Sequence, residues 1–124
     1  MTDPTEQASA RRSPEQVDQQ RAVDPRVRVF DVRSSGSRAT SSTIPGSELL
    51  DVKAELADGN LDVLLEQGLS PDEPIVFVCN TGGTCGRAAD FLASRGFDAV
   101  SVEGGMRAWQ DAGLAVDPPD APTV

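Results

Sequence analysis

The sequence predicts an α/β fold: a small, mostly parallel sheet flanked by helices on both faces. Three observations predict it. Short β-rich or apolar runs at residues 27–32, 75–78 and 99–102 alternate with stretches of helical periodicity. The connections between them are short and rich in Gly, Pro, Asn and Asp, as successive strand and helix units require. The run Ile75-Val76-Phe77-Val78 is uniformly apolar, the pattern of a central strand covered on both faces.

Residues 1–12 are polar and lack apolar periodicity, so a disordered N-terminal tail is expected there. Ser13-Pro14-Glu15-Gln16 reads as a helix start, with Ser as N-cap, Pro at the first helical position and Gln at the reciprocal capping site; the helix runs through about Arg21. Val27, Val29, Phe30 and Val32 make a buried strand that ends at Asp31-Val32-Arg33. Residues 34–42 are small and polar and form a surface loop, after which Ile44-Pro45-Gly46 turns the chain into a short strand at 48–50.

From 52 to 67, Val52, Leu56, Leu61, Leu64 and Leu65 keep helical spacing, and Gly59-Asn60 splits the segment in two. Gly68 stops it, and the 70–74 loop leads into the 75–78 strand. A helix is expected from about Gly86, with Ala88, Ala89, Phe91 and Leu92 inward, ending at Gly96. After the 99–102 strand, Gly104-Gly105 turns into a last short helix around Ala108-Trp109, closed by Gly113. Residues 117–124 are Pro-rich and expected to be a flexible tail, which leaves 13–116 as one domain.

Composition narrows the function. A chain of 124 residues with 38% hydrophobic content supports one core. A net charge of -9 with scattered basic residues argues against a nucleic-acid partner. No stretch approaches the roughly 20 apolar residues of a membrane span, and no apolar signal-peptide core is present, so a cytoplasmic protein with no membrane partner is expected. Two Cys fit a reducing compartment, where reactive or buried thiols are commoner than disulfides.

Cys79 closes the apolar strand and opens the run C-N-T-G-G-T-C-G-R, where a strand ends, a Gly-bearing loop curls and a helix begins. Free backbone N–H groups there favour a thiolate and any anion beside it, so the site suits sulfur chemistry on a small anion. The chain has no His and no Tyr, and its only Lys is Lys53. A Cys/His or Ser/His/Asp unit is therefore impossible, as is a zinc site of two Cys and two His; no metal and no cofactor are expected. Asp31, Cys79 and Glu103 stand at or just after predicted strand ends, which places them on one rim of the sheet.

From about Ser13 to Val116 the chain resembles a single-domain rhodanese, a sulfurtransferase. The resemblance rests on D-V-R at 31–33, T-I-P-G-S at 43–47, C-N-T-G-G-T-C-G-R-A-A at 79–89 and V-E-G-G-M-R-A-W at 102–109, in that order and spacing. It implies a ping-pong transfer in which Cys79 takes a sulfane sulfur from thiosulfate or 3-mercaptopyruvate, becomes a persulfide and passes the sulfur to a thiol or cyanide. Asn80, Thr81, Gly82, Gly83, Thr84 and Cys85 would surround it with amides, Gly82 and Gly83 supplying positive φ angles. Asp31, Arg33 and Arg87 are supporting candidates, with Arg33 expected to hold an acidic partner. The alternative is a protein-to-protein sulfur carrier, loaded by a sulfur-donor protein, or a redox-regulated binding module, with little small-molecule turnover.

Several positions depart from the family pattern. Thr84 stands where many single-domain members carry Arg, and Thr43 replaces the usual turn His. The neutral loop looks more like the C-G-S-G-V-T loop of mercaptopyruvate enzymes than the C-R-K-G-V-T loop of thiosulfate enzymes, so weak thiosulfate affinity is expected. A phosphate-handling C-x-x-x-x-x-R loop needs Arg where Cys85 stands, which counts against that chemistry. Cys85 has two readings: a packed or capping thiol at the helix start, or a partner that resolves an oxidised or persulfidated Cys79 as a disulfide. Trp109 and Phe91 read as core; Gly104-Gly105 reads first as a turn and second as a pocket wall.

Overall fold

The structure, a computed structural model, describes residues 11–33 and 41–118. Five parallel strands form one sheet in the order β1-β5-β4-β2-β3, where β1 is Arg11–Arg12, β2 Arg28–Asp31, β3 Glu48–Leu49, β4 Ile75–Val78 and β5 Ala99–Val102. Helices α1 (Pro14–Val23), α2 (Lys53–Ala57), α3 (Gly83–Ala93) and α4 (Gly105–Asp111), with a 3-10 helix at Leu61–Glu66, cover its faces.

The alternation of side chains along β4 builds two cores. Ile75 and Phe77 pack on one face with Leu56, Leu64, Ala88, Ala89 and Leu92, and both cysteines belong to this face. Val76 and Val78 pack on the other with Val17, Met106 and Trp109. Every residue of β4 is buried, as its unbroken apolar run requires.

α1 begins where its sequence says. Ser13 Oγ accepts from the Gln16 amide at 3.1 Å, and Gln16 Oε1 accepts from the Ser13 amide at 2.9 Å, a complete capping box. The 52–67 segment breaks at Gly59, whose φ of 83° ends α2 before the 3-10 helix.

Several boundaries differ from expectation. Arg11 and Arg12, placed in the N-terminal tail, pair with Ser101 and Val102 as edge strand β1; two polar residues carry no periodicity, and only the open edge of β5 gives them a partner. Asp117, placed in the C-terminal tail, exchanges backbone hydrogen bonds with Thr43 at 3.0 and 2.8 Å. α3 starts at Gly83 rather than about Gly86. Phe91, expected inward, is half-buried at the edge of its core, with the Arg95 guanidinium 4.5 Å from its ring centroid. Residues 1–10 and 119–124, and 34–40 of the expected 34–42 loop, lie outside the described residues.

Candidate active site

Cys79 is the residue after β4, and sheet register decides what stands beside it. Asp31 pairs with Val78, and the Val32 amide donates to the Val78 carbonyl at 2.9 Å, so Val32 and Arg33 leave the sheet next to Cys79. On its other side Asp31 pairs with Leu49, after which the chain passes through Leu50 and Val52 into α2, whose first residue is Lys53. Three neighbouring parallel strands therefore end on one rim. They deliver Arg33, Lys53 and Cys79 to a cleft of about 180 Å³ that Val32, Asn80, Thr81, Gly83 and Thr84 complete. Pockets for drug-sized ligands start near ~300 Å³, so this one suits a substrate of few heavy atoms.

The loop after Cys79 is tight because Gly82 takes a φ of 100° and caps α3 directly. The Gly86 amide already donates to the Gly82 carbonyl at 3.0 Å, so Gly83, Thr84 and Cys85 form the first helical turn. Gly83, expected to need a positive φ, is helical; Gly104 and Gly105 take that conformation instead. First-turn N–H groups have no intrahelical acceptor. That of Cys85 points at Cys79 Sγ at 3.4 Å, and the Gly82 N–H donates to the same sulfur at 3.2 Å.

A third donor is a side chain. Cys85 Sγ lies 3.2 Å from Cys79 Sγ and is completely buried, and both thiols are free. When Cys79 ionises, the Cys85 S–H donates to it. That bond is the largest influence bringing the Cys79 pKa down from 9.0 to about 6; burial opposes it, and the N–H groups of Cys85, Gly82 and Thr81 reinforce it. The neighbouring Cys79, and then burial, push the Cys85 thiol far up, so one sulfur of the pair carries the charge.

Gly104-Gly105 holds the loop from behind. The Met106 amide donates to the Cys79 carbonyl at 2.7 Å, and the Arg107 amide to the Asn80 carbonyl at 3.1 Å. A Cβ on Gly105 would lie 2.4 Å from the Cys79 carbonyl oxygen, so only glycine permits this approach. The pair is a buttress for the loop backbone and is not among the cleft's lining residues.

The expected supporting residues divide. Arg33 donates to both Asp31 carboxylate oxygens, at 2.8 and 3.0 Å, and to the Ser42 carbonyl, with both side chains buried. Its charge is thereby compensated, and it faces the cleft as half of a neutral pair. Arg87 is exposed and lines no part of the cleft. Glu103 directly follows β5 on the same rim but is exposed and lines no part of the cleft; its amide donates to the Arg12 carbonyl at 2.8 Å on the far side of β5. Lys53 was not among the candidates. It has no ion pair among the described residues, which leaves it the uncompensated cation of the cleft. Its uniqueness as the chain's only Lys was a visible signal, but only the β2–β3 pairing brings it to Cys79.

The "Rhodanese-like domain" family model matches residues 13–112. The chain is 36% identical over 85 residues to "Thiosulfate sulfurtransferase GlpE" of Pseudoalteromonas translucida, a match covering 68% of this chain and 73% of that protein. It is 45% identical over 49 residues to "Protein HIGH ARSENIC CONTENT 1, mitochondrial" of Arabidopsis thaliana, covering 39% of this chain. Some matches span less than half of the curated relative: 29% of the Arabidopsis protein and 44% of a GlpE of Actinobacillus pleuropneumoniae. Among solved structures, a rhodanese-like domain protein from Staphylococcus aureus superposes with a TM-score of 0.64 at 26% identity, covering 86% of this chain and 97% of that one. The rhodanese-like domain of an Anabaena protein shares the fold with a TM-score of 0.69 at 18% identity, covering 93% and 86%.

Proposed function

The chain belongs to the rhodanese-like domain family, and from that premise we propose that it is a sulfurtransferase working through a persulfide on Cys79. The observation that carries this reading is the sulfur itself: a thiol at a strand end, with a pKa brought down to about 6 and hydrogen bonds from Gly82 and Cys85, opening on a small cleft.

The Cys79 thiolate attacks the outer sulfur of a donor. With thiosulfate, the new Cys79–sulfur bond forms as the sulfur–sulfur bond breaks and sulfite leaves with the electron pair; with 3-mercaptopyruvate, whose thiol is its one sulfur, the carbon–sulfur bond breaks and the pyruvate enolate leaves with the electron pair and takes a proton from solvent. The persulfide charge moves to the terminal sulfur within the cleft, where donors that need no reorganisation stabilise it. A nucleophilic acceptor, cyanide or a thiolate, then takes that sulfur and returns Cys79 to its thiolate. No step needs an imidazole or a metal ion.

Lys53 changes the expectation for thiosulfate. The loop is neutral and Arg33 is compensated, yet the cleft retains one ammonium for the anionic end of a donor. The GlpE relatives are named as thiosulfate enzymes, which supports thiosulfate alongside 3-mercaptopyruvate. The reading includes a reducing compartment such as the cytoplasm, where a thiol nucleophile persists.

The test is cyanide-dependent thiocyanate formation from each donor. Wild type should turn over, and Cys79→Ser should lose activity to background. Lys53→Ala should raise the thiosulfate KM about fivefold with kcat little changed, since one exposed ion pair contributes ~1 kcal/mol, and Lys53→Arg should recover most of it. No turnover with either donor, combined with rapid sulfur loading from a cysteine desulfurase, would favour the protein-to-protein carrier.

A further inference from the structure

Cys85 contributes more than a hydrogen bond. Resting on the persulfide reading of Cys79, we infer that Cys85 is a resolving thiol that releases the stored sulfur as sulfide, giving the protein a second, reductive outcome beside transfer to an external acceptor. The observation is the pair: Cys79 Sγ and Cys85 Sγ are 3.2 Å apart, unbridged, with Cys85 completely buried.

The placement sets the direction of the chemistry. Cys79 lines the cleft and Cys85 does not, so a sulfur bound to Cys79 stands on the open side while Cys85 approaches Cys79 Sγ from the interior. Displacement at sulfur needs attacker and leaving group on opposite sides of the atom attacked, and these are the two sides the fold provides. The disulfide length is about 2.05 Å, so closure needs a movement on the order of 1 Å. Gly82, Gly83 and Gly86 flank that movement.

The step balances. Cys85 Sγ attacks Cys79 Sγ, the Cys79–terminal sulfur bond breaks, and the Cys85 proton goes to the departing sulfur. Cys79–S–S⁻ and HS–Cys85 become the Cys79–Cys85 disulfide and HS⁻: the terminal sulfur leaves as sulfide with the electron pair of the broken bond, and the Cys85 thiol is oxidised to the disulfide with Cys79. An external dithiol then reduces the disulfide by thiol–disulfide exchange and restores both thiols. Before loading, the proton of Cys85 serves the Cys79 thiolate. Loading removes the negative charge from Cys79 Sγ and thus removes the acceptor that held that proton.

An external nucleophile attacks the terminal sulfur, whereas Cys85 attacks the inner one, so the two outcomes compete for the same intermediate. Abundant acceptor favours transfer; scarce acceptor with available dithiol favours sulfide.

The test loads pre-reduced protein with inorganic polysulfide, whose sulfane sulfur passes to the thiolate as the shortened polysulfide leaves, removes excess reagent and leaving group by rapid desalting, and then follows intact mass, newly released sulfide and disulfide-mapped peptides. Wild type should lose two hydrogens, yield a peptide joined through Cys79 and Cys85, and release sulfide stoichiometrically with the disulfide. Cys85→Ser keeps a hydroxyl donor for Cys79 but cannot close the bond; it should retain the added sulfur and lose the release of sulfide. Wild type that retains the added sulfur as long as Cys85→Ser, with no joined peptide, would overturn the inference, and the wild-type peptide map decides this even if the variant does not fold. A parallel arm with thiosulfate separates the two claims: no loading from thiosulfate, with disulfide formation from polysulfide, would count against the donor reading and leave the role of Cys85 standing.

Discussion

Two sulfurs 3.2 Å apart do not both ionise in a buried site, and the fold assigns the charge by position. Cys79 meets the first-turn N–H groups and the cleft; Cys85 is sealed in the core with the proton. Cys85→Ala removes the largest influence on the Cys79 pKa, so the pKa should rise from about 6 toward the ordinary 9.0, read by ultraviolet thiolate titration, whereas Cys85→Ser should stay nearer wild type. Asp31 and Arg33 make a second pair in which burial decides the outcome. Asp31→Asn leaves Arg33 charged and uncompensated in the interior, and should cost about 3–5 kcal/mol in chemical denaturation. The strand-end position of Cys79 is legible in the sequence, and so is an acidic partner for Arg33; that the partner is Asp31 comes from the structure. The identity of the free cation was not legible: it depends on which charges find partners, and among the described residues Arg33 finds one while Lys53 does not.

At the level of elements, the strands were the most legible part, because unbroken apolar runs such as 75–78 have one plausible environment. The start of α3 was not, because T-G-G-T offers no side-chain cap and glycine is a poor helix former; the helix begins there because Gly82 takes the left-handed conformation and the turn closes on Cys79. β1 was invisible for the opposite reason: Arg11–Arg12 has no pattern and exists by pairing with β5. The role of Gly104-Gly105 also lies in tertiary approach, with α4 donating two N–H groups to the carbonyls of Cys79 and Asn80. Gly105→Ala combines a φ of 64° with a Cβ 2.4 Å from the Cys79 carbonyl oxygen, so it should displace the loop. The expected result is a midpoint loss of roughly 2 kcal/mol or more and a Cys79 pKa shifted upward. Gly59→Ala, with a similar φ and nothing within 4 Å of its Cβ, should cost only about 1 kcal/mol and leave that pKa alone.

Across the whole molecule, the absence of His means that no imidazole titrates between the carboxylates and Cys79. The pH dependence of transfer therefore reports one sulfur. Cys79 is protonated below its pKa and nucleophilic above it, so kcat/KM should climb through about pH 6 and level off toward neutrality, in place of the alkaline rise of an ordinary thiol near 9.0. The acidic surface and the two cores serve that centre indirectly, by holding three parallel strand ends on one rim while the rest of the chain stays charged and solvated. The central claim is that Cys79 carries the sulfur in transit. Its most direct test is rapid-quench intact-protein mass spectrometry within the first turnover, after separate exposure to thiosulfate and to 3-mercaptopyruvate, on wild type, Cys85→Ser and Cys79→Ser. The account predicts a gain of one sulfur from at least one donor, removable by cyanide, longest-lived in Cys85→Ser and absent from Cys79→Ser. No gain from either donor in any of the three proteins, or a gain that survives in Cys79→Ser, would contradict it.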